Sequence, residues 1–84
     1  MFLHVISVEY LEDYKLRLKF NNEEVRTVDL SQELYGEIFE PLREIDFFKQ
    51  VNVNPETKTI EWPNGAGFAP EYLFDLTPAF QQTA

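Results

Sequence analysis

Side chains that could carry out catalysis are sparse in this chain of 84 residues, which contains one histidine and no cysteine. His4 lies in an apolar run at the N-terminus, where a lone histidine is usually a surface or half-buried side chain. Ser7 and Ser31 stand outside any nucleophile motif of the Gly-x-Ser-x-Gly kind. The missing cysteines exclude disulfides, thiolate metal sites and a cysteine nucleophile. We therefore expect a protein that is not an enzyme and that binds neither a metal nor another cofactor.

Carboxylates are the abundant ionisable groups, because 15 Asp and Glu against 7 Lys and Arg give a net charge of −8. Glu33, Glu37 and Glu40 lie at nearly helical spacing. Gly36 and Pro41 interrupt any helix that would align them, so we do not expect a carboxylate metal site. The charge also argues against direct binding of nucleic acid, which requires a positive surface. Two interpretations stay open: a solvated face that keeps the protein soluble, or an acidic patch that attracts a basic partner.

Aromatic side chains are the second excess, with eight Phe, four Tyr and one Trp in a chain too small to bury all of them fully. Trp62, Phe68 and Tyr72 lie close together in the sequence, with polar Asn64 and Glu71 among them. They form either a half-buried rim or a protein contact patch anchored by Trp and Tyr. The candidate interaction surface combines these residues with the acids named above: Trp62, Asn64, Phe68, Glu71, Tyr72, Glu33, Glu37 and Glu40.

The first part of the chain is predicted to form short strands. Residues 15–20 alternate between cationic and apolar side chains, which predicts a strand with one face in water. Residues 4–10 predict a strand before it. Residues 24–29 predict its hairpin partner after a turn at 21–23, where asparagines tolerate left-handed backbone. These segments indicate the beginning of an antiparallel sheet.

The middle of the chain predicts only short helical turns, because Gly36 and Pro41 rule out a continuous helix. One turn is expected over residues 32–34, capped by Asp29 or Ser31. The most helical piece is expected over residues 44–49. These turns would pack their apolar side chains on the sheet.

A second hairpin and a final helix are predicted in the last third of the chain. Residues 51–54 and 59–62 alternate around a turn that begins at Pro55. Pro70 fits the first position of a helix that ends near residue 75. The fold class is therefore α+β, with a small antiparallel sheet of about five strands and short helices packed on it.

The chain is expected to form a single small domain over residues 1–84, with a frayed tail at 78–84. The first residues have no basic leader of the secretory kind, and no stretch approaches the length of a membrane span. A cytoplasmic protein that does not bind membranes is therefore expected. An open sheet edge would also be compatible with a homodimer.

Several segments have a distinctive sequence, and the last of them is the most specific. They are Tyr14-Lys15-Leu16-Arg17-Leu18, Val28-Asp29-Leu30, Phe39-Glu40-Pro41-Leu42-Arg43, Asp46-Phe47-Phe48, and Val51-Asn52-Val53-Asn54-Pro55-Glu56-Thr57 continuing through Thr59-Ile60-Glu61-Trp62-Pro63-Asn64-Gly65-Ala66 to Ala69-Pro70-Glu71-Tyr72-Leu73. On these segments the core from residue 14 to residue 74 resembles a bacterial family known as domain of unknown function 2442. The chain departs from the family pattern at Gly67, where members usually have an acid, and at Lys58, where they usually have a glycine.

The resemblance implies a small α+β domain that is sometimes fused to a helix-turn-helix DNA-binding domain. A chain of this length has no room for that second domain, so we expect the stand-alone form. The resemblance also implies a gene neighbourhood like that of toxin–antitoxin pairs. No catalytic residues are known for the family, so the resemblance assigns none.

We predict from these observations a non-enzymatic interaction module that binds a small basic protein, such as the product of an adjacent gene, in an antitoxin-like or regulatory role. The alternative is a sensory or ligand-binding domain that regulates transcription through a separate DNA-binding protein. In that alternative the loop from Trp62 to Tyr72 would line a small pocket, with Asn64 and Glu71 as polar contacts.

Overall fold

A three-stranded antiparallel sheet forms the first part of the fold. The computed structural model describes residues 2–76, so the predicted frayed tail at 78–84 lies outside the described residues. The strands are β1 (Val5–Glu12), β2 (Lys15–Phe20) and β3 (Val25–Asp29), in the order β1-β2-β3. Alternation places Leu16, Leu18 and Phe20 of β2 in the core. The predicted strand periodicity is confirmed.

The second hairpin pairs β4 (Asn52–Asn54) with β5 (Thr59–Glu61) as a separate two-stranded sheet. The α+β class and five antiparallel strands are thus confirmed, but they form two small sheets and not one. The sheets meet where the Val5 amide donates a hydrogen bond to the Lys58 carbonyl over 2.9 Å. Each strand of this hairpin has three residues, the lower end of the usual strand length.

The segment between the sheets is mostly irregular. Residues 31–33 form turns, so the helix expected over 32–34 is wrong. The Asp29 carboxylate accepts a hydrogen bond from the Ser31 amide over 2.9 Å, and this local bond favours a turn over a helix start. A 3₁₀ helix (Glu40–Arg43) and α1 (Ile45–Phe48) follow. The last described helix, α2 (Pro70–Asp75), begins at its proline as predicted.

The core lies where the larger sheet, the hairpin and α2 meet. Leu73 of α2 is buried, and Phe74 contacts Phe20 edge to face with ring centroids 5.1 Å apart. Arg26 fixes the end of α2, because its guanidinium donates to the Phe74 carbonyl over 3.2 Å and lies 3.9 Å from the centre of the Phe74 ring. Across residues 2–76, no helix has the length and apolar character that crossing a membrane requires.

Candidate interaction surface

Three aromatic rings form a stacked ladder at the surface. The ring centroids of Phe39 and Phe68 are 4.8 Å apart with planes 25° from parallel, and those of Phe68 and Tyr72 are 5.6 Å apart at 6°. Phe39 precedes the 3₁₀ helix, Phe68 follows the hairpin loop, and Tyr72 lies in the first turn of α2. Phe39 and Phe68 are half-buried, whereas Tyr72 is 43% exposed. The ladder therefore presents its outer ring to solvent.

Trp62 lies beneath this ladder and not in it. Its side chain is 1% exposed, and its indole N–H donates to the Phe48 carbonyl over 2.8 Å. Its ring meets Phe68 nearly edge-on at 6.0 Å. The prediction that Trp62 lines the interaction surface is wrong, because a backbone carbonyl satisfies its only polar group and allows the whole ring to be buried. Trp62 supports the ladder from below.

The loop after β5 is held by Asn64. The Gly65 amide donates to the Trp62 carbonyl over 2.9 Å, and Gly65 has a φ of 91°, which closes a tight turn. The Asn64 side chain accepts from the Ala66 amide over 3.1 Å and donates to the Ile38 carbonyl over 2.9 Å. Both polar atoms of Asn64 are therefore engaged within the chain, and they tie this loop to the segment that bears Glu37 and Glu40.

One carboxylate contacts the ladder, and three more belong to residues near its rings in the sequence. The Tyr72 hydroxyl donates to the carboxylate of Glu33. That hydrogen bond, together with partial burial and the negative charge of Glu33, raises the pKa of Tyr72 from 10.0 to about 12. Glu37 and Glu40 are exposed on the segment that carries Phe39, and Glu71 is exposed beside Tyr72.

We call this surface the acidic aromatic face. It comprises Glu33, Glu37, Phe39, Glu40, Asn64, Phe68, Glu71 and Tyr72.

The carboxylates of this face lack basic partners. The ion pairs among the described residues join Lys15 to Glu12, Arg17 to Glu9 and Arg26 to Glu24, all on or beside the three-stranded sheet. Within residues 2–76, no acid of the acidic aromatic face belongs to an ion pair. Unpaired charges of one sign attract oppositely charged molecules over a Debye length of about 10 Å at 0.1 M salt.

Sequence reasoning missed Phe39 and two exposed apolar neighbours. Tyr35 is 66% exposed and Ile38 is 49% exposed. Tyr35 directly precedes Gly36, and Ile38 lies between Gly36 and Pro41. The glycine and the proline are the residues that predicted an irregular segment here. An apolar residue in a loop without periodicity has no defined core-facing side, and that signal was available in the sequence.

In the loop from Trp62 to Tyr72, two of the residues expected to line a ligand pocket are engaged within the chain. Trp62 is buried against Phe68, and both polar atoms of the Asn64 side chain are already bonded. An open groove of about 310 Å³ lies elsewhere, between β1 and the β4–β5 hairpin. Its lining residues are His4, Val5, Ile6, Val53, Pro55 and Lys58.

Comparison with known proteins places these observations in a family. The family model "Protein of unknown function (DUF2442)" matches residues 5–79, which is most of the chain. A crystal structure from Nitrosomonas europaea, named "Putative DNA Binding Protein NE0471", is similar with a TM-score of 0.79 and 23% sequence identity. The similarity covers 90% of this chain and 49% of that one, so the chain spans about half the length of the Nitrosomonas europaea protein. No protein of curated function matches the chain.

Proposed function

This chain belongs to the DUF2442 family of proteins of unknown function, and we propose that it is a non-enzymatic interaction module that binds a small basic protein through the acidic aromatic face. The partner we propose is a small protein such as the product of an adjacent gene. The role would be antitoxin-like or regulatory, in the cytoplasm. The observation on which this rests is the stacked ladder of Phe39, Phe68 and Tyr72 beside carboxylates that have no ion-pair partner among the described residues.

The chemistry of the face favours lysine and arginine as the side chains it would receive. A cation over an exposed aromatic ring gains about 0.5–1 kcal/mol, and more when water is excluded. Tyr72 offers such a ring, with Glu71 next to it and Glu33 bonded to its hydroxyl. Arginine suits this combination best, because its planar guanidinium stacks on rings and pairs with carboxylates in two-point geometry.

A binding role also agrees with the positions of the side chains that could otherwise act in catalysis. His4, the one histidine, lines the groove beside β1 and is not part of the face. Asn64 has both polar atoms bonded within the chain. The exposed carboxylates Glu37, Glu40 and Glu71 lie in water and not in an apolar cleft of the kind that tunes catalytic acids. These features support recognition and not turnover.

A matched pair of charge variants tests the proposal. Random peptides displayed on phage are selected against the unmodified chain and then measured for binding to Glu37→Gln/Glu40→Gln and to the control Glu23→Gln/Glu56→Gln. Both variants lose the same charge, but only the first lies on the face. We expect enrichment of Lys and Arg in the selected peptides, binding that weakens with salt, and a loss confined to the first variant. Enriched peptides without basic residues, or equal binding to both variants, would contradict the proposal.

A second candidate is a regulatory domain that acts with a separate DNA-binding protein. The named role of the Nitrosomonas europaea protein supports it, because this fold occupies about half of a longer chain with that name. At −8, this chain itself lacks the positive surface that phosphate binding requires. We therefore expect no mobility shift of duplex DNA by the chain alone, even at low salt. A salt-sensitive shift would contradict the expectation that another protein contacts the DNA.

A further inference from the structure

We propose that the groove between β1 and the β4–β5 hairpin binds a small monocarboxylate with an apolar body. The groove is separate from the acidic aromatic face, and this inference does not depend on the proposed interaction with a basic protein. Its volume of about 310 Å³ lies at the lower end of the range of about 300–1,000 Å³ that is usual for small-molecule sites. A small acid therefore fits the groove better than a large ligand.

The lining divides into an apolar part and a polar rim. Val5, Ile6, Val53 and Pro55 provide the apolar part, which suits a short hydrocarbon chain. Lys58 contributes an ammonium group, and the His4 ring carries an N–H donor in either tautomer. A carboxylate is the ligand group that matches this rim, since it accepts hydrogen bonds from both and is attracted to the lysine.

The charge of Lys58 is available for a ligand. Among residues 2–76, no carboxylate lies within ion-pair distance of the Lys58 ammonium. Lys58 is one of four bases, with Lys19, Arg43 and Lys49, that belong to no ion pair among the described residues. Its ammonium gives the groove a charge opposite in sign to that of the protein as a whole.

The backbone at Lys58 is strained. Its φ is 61°, in the left-handed region that favours glycine. The position is fixed by two hydrogen bonds, because the Lys58 amide donates to the Asn54 carbonyl over 2.7 Å and its own carbonyl accepts from the Val5 amide over 2.9 Å. A glycine would satisfy this turn at lower cost. Asp13 and Glu23, in the two turns of the larger sheet, also have positive φ, so the backbone at Lys58 provides a test of stability and the case for binding rests on the groove lining.

Replacing Lys58 by glycine should lower the affinity for the ligand and raise the stability of the fold. These opposite changes distinguish a role in ligand binding from a structural role. Hexanoate is titrated into the full chain and followed by the amide resonances of the groove, with hexanamide as the neutral probe of equal shape. We expect saturable shifts at Ile6, Val53 and Lys58 with hexanoate only. Lys58→Gln should weaken binding by about tenfold or more, the usual size of one lost hydrogen bond to a charged group.

Lys58→Gly is the decisive variant, with Lys19→Gln as the control that removes an exposed charge from β2. Lys58→Gly should lose the same affinity as Lys58→Gln while its Tm rises by about 4–8 °C, because the backbone strain is relieved. Lys19→Gln should bind hexanoate as the unmodified chain does. The proposal is wrong if hexanamide binds as well as hexanoate, if no groove resonance moves, if Lys58→Gly keeps its affinity, or if Lys19→Gln loses as much.

Discussion

The three-stranded sheet and the acidic aromatic face differ in whether their acidic side chains form ion pairs. Residues 5–29, which build the sheet, hold six acids and four bases, leaving a net charge of −2. Residues 30–76 hold nine acids and three bases, leaving −6 of the total of −8. On the sheet, Arg17 opposes Glu9 in the strand register and bonds to it over 3.0 Å. The excess of acids is thus larger after residue 29 than in the sheet, and four of those nine acids lie on the acidic aromatic face without an ion pair among the described residues: Glu33, Glu37, Glu40 and Glu71.

The two regions also use apolar side chains differently. In the sheet, strand alternation gives each residue one defined side, and Leu16, Leu18 and Phe20 are fully buried. On the face, irregular backbone and short helices bring Phe39, Phe68 and Tyr72 together with burial that decreases toward solvent. A regular strand separates charge from apolar surface, whereas the irregular segments place them side by side. That mixture is the property that suits the face to binding.

Trp62→Ala should have the largest effect, because Trp62 supports the face from within the core. Removing a large buried aromatic ring costs about 3–5 kcal/mol. A chain of 84 residues has roughly 0.05–0.15 kcal/mol of stability per residue, so much of its folding free energy would be lost. Urea unfolding followed by circular dichroism measures this change.

The matched variant is Tyr72→Ala, which removes the outermost ring of the ladder. Since Tyr72 is 43% exposed and Trp62 only 1%, Tyr72→Ala should cost much less free energy of unfolding than Trp62→Ala. It should nevertheless reduce partner binding more than any single carboxylate change. Similar destabilisation by the two variants would show that the face is as structural as the core.

Gly67→Ala should have the next largest effect, because it tests how tightly the face is joined to β5. A Cβ at Gly67 would lie 2.9 Å from the Ile60 carbonyl oxygen, and Gly67 forms a bridge with Glu61. The backbone would have to move, at a cost of about 1–3 kcal/mol. The control is Ala69→Gly, which makes the reverse change at an exposed position of the same segment. Equal unfolding free energies for Gly67→Ala and the unmodified chain would mean that the loop yields without cost.

Local patterns predicted the parts of the fold that obey a period or a fixed backbone angle. The alternation in β2, the hairpin turn at Pro55 and the helix start at Pro70 all follow from the geometry of one or a few neighbouring residues. The strained position of Lys58 was also visible, because the resemblance placed a glycine there and the structure gives a φ of 61°.

Long-range contacts decided the rest. Nothing near Trp62 in the sequence indicates that the Phe48 carbonyl will accept its indole N–H, so its burial could not be anticipated. The stacking of Phe39 on Phe68 joins segments that are distant in the chain. The groove beside β1 likewise depends on how the hairpin packs on the larger sheet, which no local pattern specifies.

Arg26→Gln tests whether a half-buried arginine of the sheet contributes more stability than an exposed one. Arg26 is half-buried, and its guanidinium both bonds to the Phe74 carbonyl and covers the Phe74 ring. Losing these contacts should cost about 1–2 kcal/mol of unfolding free energy. Arg17→Gln is the control, because its exposed pair with Glu9 should contribute only about 0–1 kcal/mol. Chemical denaturation of both variants would contradict this ranking if Arg17→Gln proved the more destabilising.

Tyr72→Phe should have the smallest effect, and it isolates the hydrogen bond between the ladder and Glu33. The pKa of Tyr72 is raised to about 12 in the folded chain, chiefly by that bond, against an ordinary value of 10.0. The contribution of the bond is therefore fully present below pH 10 and is lost as the pH rises through about 12, where the hydroxyl ionises beside a carboxylate. Because Tyr72 is exposed, the loss should stay below about 1 kcal/mol. Unfolding free energies measured from neutral to alkaline pH should fall less steeply for Tyr72→Phe than for the unmodified chain, and Glu33→Gln, which removes the charged acceptor, should also reduce the slope. If all three proteins fell in parallel, the Tyr72–Glu33 bond would have no part in joining α2 to the acidic segment.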